Sequence, residues 1–333
     1  LLSLIFIETP IMSSVWESLS TTVTSAPTNT IVIPLANEGV LTVQGADARK
    51  FLQGQSSSDF AQVDETSSRL GCLCNLKGRA ILSFRAVNWQ ENTFHLVMDA
   101  PLVTIAKTLL QKYIIFSKAQ LSTPDLAVFG VMGEGATTLI TQLLGNCPKA
   151  IDDVISNEQA SVIRLHGEQR FLVLVQPETL TTLWPELIQQ ATIGDLNTWR
   201  LAQIAAGEAQ VLASTSELFQ PQELNFQNLN GVSYNKGCYT GQEVIARLYF
   251  RGKLKQFVHR FQATRAELPA LNATIADDTE HTQGHVVLVA KRDNNTVEML
   301  AIARRGHLDG LHLAETQQAM TLLDLPYVVD VKE

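Results

Sequence analysis

The feature that most constrains the fold is a change of sequence pattern near residue 255. Before it, segments with the alternating apolar residues of β-strands are interleaved with segments that have the apolar spacing of helices. After it, only short strand patterns occur, such as VHRFQATR, GHVVLVAKR and TVEMLAIARR, separated by turn sequences such as RDNN. The pattern predicts α+β structure in the longer first part and a small β-barrel at the end.

Two similar series of elements are predicted in the first part. The first contains a strand at GVLTVQG, the strand pair RAILSFRAV and NTFHLVM, and a helix that begins near Pro101. The second contains the strand DLAVFGVMG, a helix that ends at Gly145, the strand pair SVIRLHG and QRFLVLV, and two further helices. This order is compatible with two ferredoxin-like units, although the residues are not similar enough to define a repeat.

We therefore divide the chain into four segments. Residues 1–30 are expected to be a flexible lead-in, with natural translation beginning at or near Met12. The predicted domains that follow are 31–120, 121–250 and the barrel 251–333. No segment has the uninterrupted apolar length of a membrane span, and four cysteines in 333 residues predict free thiols and a cytoplasmic protein.

The strongest candidate site is KGCYTGQE, which begins at Lys236. Gly237 and Gly241 allow the backbone to approach a ligand closely, and the many cations that follow would activate the thiol of Cys238. The residues alone leave two interpretations open: a reactive thiol at a ligand site, or an inert cysteine in a tight turn.

A basic and aromatic stretch follows this segment. Tyr249 and Phe250 lie beside Arg247 and Arg251, a combination that suits a flat anionic heterocycle or a nucleic-acid strand. The alternative is a solvated strand face, which we favour for the later cations, Arg260 and Arg265. The net charge of −8 requires any polyanion site to be local.

Other motifs do not define a site. Cys72 and Cys74 alternate as residues on one strand face do, and without a second pair of ligands they are predicted to be core thiols rather than a metal site. The sequence contains no nucleophile elbow, Walker loop or dinucleotide-binding glycine fingerprint, so the commonest hydrolase, nucleotide and dehydrogenase chemistries lack support.

Several segments together resemble one known family. In order along the chain, the matching segments are GADARKFLQGQ, CNLKGR, KYIIFSK, FQPQELNFQNLNGVSYNKGCYTGQE and ARLYFRG. They are similar to the YgfZ-type folate-binding proteins, and KGCYTGQE is the most specific of the matches. The resemblance implies the three-domain fold of the glycine-cleavage T-protein, a tetrahydrofolate-dependent aminomethyltransferase, with a central opening and a terminal β-barrel.

The resemblance also implies a function. It predicts an accessory protein that binds a reduced folate and supports iron–sulfur proteins, including enzymes that add methylthio groups to tRNA. Cys238 is the implied working residue, and Trp199 is implied to contact the folate. We add Tyr239, Arg247, Arg251 and Lys253 as candidate folate contacts, because aromatic rings and cations suit its rings and acidic tail.

Three departures from the related T-protein or family patterns are visible. Ala205 stands where T-proteins carry an acid that grips the pterin, with Glu208 nearby but shifted. Glu38 stands where family members carry a tryptophan, and the loop 75–79 lacks the catalytic aspartate of T-proteins. Two other functions therefore stay open: a tetrahydrofolate-dependent aminomethyl- or methyltransferase, and direct tRNA binding through residues 247–260. Whether the protein catalyses a reaction is also left open.

Overall fold

The computed structural model describes residues 15–19, 29–252 and 254–329. Within these residues it contains three β-sheets, one of which is closed into a barrel. The helices are α1 (Val15–Ser18), α2 (Ala48–Gln53), α3 (Ala100–Ile114), α4 (Ala136–Leu144), α5 (Pro177–Gln190), α6 (Leu196–Ala205) and α7 (Gln242–Phe250). The predicted α+β class is confirmed.

One sheet is antiparallel and has five strands. They are β2 (Glu38–Gln44), β3 (Arg69–Cys74), β4 (Ala80–Gln90), β5 (Thr93–Asp99) and β6 (Gln120–Ser122), in the spatial order β3-β4-β5-β2-β6. Helix α3 begins with Pro101 in its first turn and buries Leu102, Ala106 and Leu110 in the core that this sheet shares. Because these residues recur at helical spacing, one face of α3 is apolar.

A second sheet has six strands. They are β1 (Thr30–Pro34), β7 (Ala127–Gly133), β8 (Val154–Ser156), β9 (Ala160–Arg164), β10 (Arg170–Val175) and β11 (Thr192–Ile193), in the spatial order β11-β1-β7-β10-β9-β8. Helices α4 and α5 contribute residues to the same core as Phe129 and Phe171 of this sheet. Gly145 ends α4 in the left-handed conformation, as the sequence predicts.

The last sheet is the barrel. Its strands are β12 (Gln256–Thr264), β13 (Thr274–Ala276), β14 (Thr282–Lys291), β15 (Thr296–Arg304), β16 (His312–Leu313) and β17 (Gln318–Leu323), and β17 closes the barrel onto β12. Its interior is filled by apolar residues such as Phe261, Met299 and Leu313. The predicted change of structure near residue 255 is therefore confirmed by a strand that begins at Gln256.

The two larger sheets do not follow the predicted division into 31–120 and 121–250. Strand β1 pairs with β7 and so belongs to the six-stranded sheet. Conversely, Phe219, Phe226 and Ile245 share a buried core with Leu41 and the rest of the five-stranded sheet. The chain thus crosses between the sheets three times, because strand pairing and apolar burial join segments that are distant in sequence.

The predicted flexible lead-in is described only in part. Residues 15–18 form helix α1, in which Val15 is buried and the Trp16 ring meets the Trp184 ring edge-on at 5.2 Å. Residues 1–14, which include the predicted start at Met12, and residues 20–28 lie outside the described residues. None of the helices in the described ranges is long and apolar enough to cross a membrane.

The two larger sheets face each other across a third apolar core that contains Trp199 of α6. The indole ring lies directly on Gly130 of β7, where a side-chain carbon, if one were present, would come within 2.4 Å of the ring atom Cζ3. Glycine at this position therefore allows the close approach that places Trp199 between the sheets.

We expect Gly130→Ala to lower the free energy of unfolding by about 1–3 kcal/mol, because the added methyl group must displace a packed ring. Urea unfolding followed by tryptophan fluorescence measures this. Gly237→Ala is the matched control, since no heavy atom lies within 4 Å of the position its methyl group would take. Equal stability of the two variants would contradict the predicted role of Gly130.

Candidate functional site

A cavity lies between the two larger sheets, and we call it the Trp199 cavity. Its volume, measured as the space open to the centres of water molecules, is about 50 Å³. Strands β2 to β5, β10, helix α6 and the segment after α6 all contribute to its wall. The lining residues are Glu38, Leu70, Ser83, Phe84, Arg85, Val97, Leu165, Leu172, Trp199, Gln203, Glu208, Ala209 and Gln210.

Trp199 is held in the wall by its helix and by a cation. Asp195 caps the start of α6 by accepting a hydrogen bond of 2.8 Å from the Thr198 backbone N–H. The guanidinium of Arg170 lies 5.0 Å from the Trp199 ring centroid, within the range of a cation–π contact. The capped helix and the cation–π contact therefore fix the orientation of the Trp199 ring, which lines the cavity.

A buried network of charges forms another part of the wall. Glu208 pairs with Arg170 through one carboxylate oxygen, and its other oxygen lies 3.6 Å from Nη2 of Arg85. Arg85 also pairs with Asp152. Burial opposes ionisation of Glu208, but the charges of Arg170 and Arg85 outweigh it and hold the pKa of the Glu208 carboxyl below its usual range.

Glu38 is the second carboxyl group in the cavity wall. Its Oε1 atom accepts hydrogen bonds from Gln210 Nε2 at 2.9 Å and from Asn37 Nδ2 at 3.3 Å. It forms no ion pair with any residue of the described chain. Burial raises the pKa of the Glu38 carboxyl to about 7, with a further contribution from the nearby charge of Asp99.

The KGCYTGQE segment lies elsewhere, against the turn between β3 and β4. Gly241 precedes α7 with a φ of +84°, and a side-chain carbon there would approach the Asn75 carbonyl oxygen to 2.5 Å. Both features require glycine. The Lys236 ammonium donates hydrogen bonds to the carbonyl oxygens of Ser56 at 2.8 Å and Ser58 at 2.6 Å. The segment is thus anchored at both ends.

Cys238 is exposed between these two anchors, whereas Cys72, Cys74 and Cys147 are buried. The next residue, Tyr239, is buried, and the Lys236 ammonium lies 5.0 Å from its ring centroid. Burial lowers the pKa of Lys236 to about 8. The arrangement presents the thiol to solvent on a backbone held from both sides.

Comparisons with known proteins identify the family. No model of a protein family matches the chain. A tRNA-modifying protein YgfZ from Pectobacterium carotovorum is 30% identical over 83% of this chain and 84% of its own length. One from Enterobacter sp. is 32% identical over 74% of this chain and 76% of its own length. The chain belongs to the YgfZ family of tRNA-modifying proteins.

A solved structure supports the same fold. The glycine cleavage system aminomethyltransferase T from Bartonella henselae superimposes with a TM-score of 0.72, covering 91% of this chain and 87% of that protein. Its sequence identity to this chain is 14%, so the similarity concerns the fold alone. The predicted T-protein-like architecture of this YgfZ family member is confirmed.

The structure separates the residues that the sequence suggested as one site. Trp199 lines the cavity, but Cys238, Tyr239, Arg247 and Arg251 are not among its lining residues. Lys253 lies outside the described residues. The candidate site of this YgfZ family member therefore has two parts. One is the Trp199 cavity, and the other is the KGCYTGQE segment with its exposed cysteine, residues 236–243, which we call the thiol segment.

The basic and aromatic stretch that contains Arg247 forms a helix. One of the two interpretations of its sequence was a solvated face of a strand. Arg247 lies in α7 and Arg251 directly follows it, and both are exposed. The Tyr249 ring stacks on the Tyr234 ring with centroids 3.7 Å apart. Arg260 is the exception, because it lies on β12 and pairs with Glu298 at 2.6 Å, in agreement with a structural role.

The two cysteines of β3 are core residues, as predicted. Their sulfur atoms lie 3.5 Å apart on one face of the strand, and both side chains are buried. Ala205, in contrast, is exposed and does not line the Trp199 cavity. The carboxylates of the cavity come from Glu38 and Glu208, so the absence of an acid at position 205 does not leave the cavity without one.

Sequence reasoning did not single out Arg85 and Arg170 as site residues. Each is a cation within or directly before an apolar strand pattern, SFRAV and RFLVLV. Buried cations need partners, so this pattern is a usable signal for a buried charge network. It does not identify the acids that complete the network, because Asp152 and Glu208 come from distant segments.

We expect iodoacetamide to alkylate Cys238 first in the folded protein, because it is the exposed member of the four cysteines. Mass spectrometry should find one modified thiol under native conditions and four after denaturation. Cys238→Ala should take up no label while folded. Labelling of Cys72, Cys74 or Cys147 before Cys238 would contradict the predicted difference in exposure between Cys238 and the other three thiols.

Proposed function

We propose that this protein is a folate-binding accessory protein that supports iron–sulfur enzymes and, through them, tRNA modification. Membership of the YgfZ family, whose relatives are named tRNA-modifying proteins, supports the tRNA part of this proposal. The observation that carries the folate part is the Trp199 cavity, in which an aromatic ring lies in one wall with Glu38, Gln203 and Gln210.

The groups of the cavity suit the chemistry of a folate. The pterin ring is flat and carries hydrogen-bond donors and acceptors on its edge, which aromatic, amide and carboxyl side chains can match. The benzoyl ring is apolar, and Leu165 and Leu172 in the same wall offer it apolar contacts. The chemistry of these side chains therefore supports a reduced folate as the ligand.

The exposed thiol segment has a separate task in this proposal. Cys238 is the reactive group that meets a partner, and the partner is an iron–sulfur protein such as a tRNA methylthiolation enzyme. Arg247 and Arg251, which are exposed and do not line the cavity, attract an acidic surface of that partner rather than the folate tail.

The turn beside this segment favours an accessory role of the protein over catalysis of aminomethyl transfer. The turn 75–79 contains no carboxylate. The Asn75 side chain accepts hydrogen bonds from the backbone N–H groups of Lys77 at 2.9 Å and Arg79 at 3.1 Å, so it serves the turn itself. A base for the transfer reaction would have to come from another element.

Trp199→Phe should weaken the binding of 5-formyltetrahydrofolate by about three- to tenfold, because the smaller ring offers less contact area to the ligand. Isothermal titration calorimetry measures the affinity. Trp184→Phe is the matched control, since it changes a buried tryptophan in a core that does not line the cavity. An equal loss of affinity in both variants would point to a general packing effect.

Cys238→Ala should abolish the contribution to tRNA methylthiolation while the protein stays folded, because the exposed thiol makes few packing contacts. The test is complementation of a bacterial strain that lacks its own family member, with the methylthiolated nucleosides of its tRNA quantified by mass spectrometry. Cys147→Ala should complement fully. Full complementation by Cys238→Ala would remove the thiol from the proposal.

A further inference from the structure

Two carboxyl groups face the Trp199 cavity, and their surroundings differ. Glu208 has a guanidinium at each of its oxygens, from Arg170 and Arg85. Its charge is neutralised by these two cations, and Arg170 donates a hydrogen bond to its Oε2 atom. Glu208 is therefore a structural member of the cavity wall whose charge is already compensated within the protein.

Glu38 has no such cation. Its Oε1 atom accepts hydrogen bonds from the amides of Gln210 and Asn37, and no hydrogen bond from a described residue reaches its Oε2 atom. The charged groups that act on it are Asp99, directly opposite on β5, Glu208 across the cavity and Arg200 of α6. Glu38 is thus the cavity carboxyl with which no described cation pairs, and its Oε2 atom is available to a ligand.

A carboxylate in this setting recognises a particular ligand edge. Two adjacent N–H donors on a flat ring can bond to it side by side, one at the free Oε2 atom and the other at Oε1 in place of the long Asn37 contact of 3.3 Å. The 2-amino group and the N3–H of an aminopyrimidinone ring form such an edge. Glu38 is half-buried and has no paired cation, so it carries a desolvation cost that these two donors would compensate.

We propose that Glu38, oriented by Gln210, binds the ligand of the Trp199 cavity through the 2-amino and N3–H donors of an aminopyrimidinone ring. This inference rests on the proposed folate function and names the residue that would select the pterin edge.

The pH dependence of binding follows from the same geometry. A ligand that offers two donors binds the ionised form of Glu38, whose pKa is raised to about 7 in the unliganded protein. Below that pH, binding must displace a proton, and above it no proton is displaced. The affinity should therefore rise by about tenfold between about pH 6 and pH 8.

The test compares two ligands and two proteins by titration calorimetry. The ligands are 5-formyltetrahydrofolate and its 2-desamino analogue, which lacks one of the two donors. The native protein should prefer the first ligand by about ten- to a hundredfold at pH 8. Glu38→Gln, which keeps an acceptor for Gln210, should bind the first ligand about ten- to a hundredfold more weakly and lose most of this preference.

Glu91→Gln is the matched control, because Glu91 is an exposed residue in the turn between β4 and β5 and does not line the cavity. It should bind both ligands as the native protein does. If Glu38→Gln does not fold, the pH series on the native protein decides: a tenfold rise supports the proposal, and a constant affinity overturns it.

The outcomes separate this inference from the proposed function. Binding of neither ligand by the native protein would overturn both. Binding by the native protein with an undiminished ligand preference in Glu38→Gln would overturn the role of Glu38 and leave the folate function in place. Loss of the preference in Glu38→Gln, with the Glu91→Gln control unchanged, supports both.

Discussion

The buried charge network is the interaction on which the arrangement of the molecule depends. Arg85 comes from the five-stranded sheet, Arg170 from the six-stranded sheet, and Glu208 from the segment after α6, and they meet between the sheets together with Asp152. A buried charge is tolerated only when its partners are in place, and removing one partner typically costs about 3–5 kcal/mol. Each sheet therefore supplies a charge that the other elements must neutralise. The apolar core around Trp199 brings the sheets together, whereas the charges restrict how they can meet.

The same network determines which groups remain available in the cavity. Glu208 is used in holding the sheets, and Arg170 also supports the Trp199 ring through its cation–π contact. What is left for a ligand is the ring itself, the amides of Gln203 and Gln210, and Glu38. The thiol segment is independent of this network, because Lys236 and Gly241 anchor it to the segment after α2 and to the β3–β4 turn. The Trp199 cavity and the exposed thiol are thus supported by different interactions in one fold.

Much of the fold could be predicted because it follows from local patterns. The strands around Val43 and Leu82, the helix that ends at Gly145 and the barrel after residue 255 all have clear apolar periodicity or turn residues. The pairing of β1 with β7 could not be predicted, since a short apolar strand does not indicate which sheet it joins. The helical state of the segment around Arg247 could not be predicted either, because its charges and rings do not determine its backbone conformation.

The sequence by itself predicted the α+β class and the terminal barrel, and its motifs resembled one family, a resemblance that implied Trp199 and Cys238 as site residues. These follow from periodicity and from specific motifs, which are properties of neighbouring residues. Only the tertiary structure decided that Trp199 and Cys238 belong to separate parts of the site, that Glu208 is neutralised and that Glu38 is not. The physical reason is that the availability of a charged group depends on which distant side chains fold against it. Arg85 and Arg170 reach Glu208 from positions more than a hundred and about forty residues away along the chain, and no local pattern encodes that meeting.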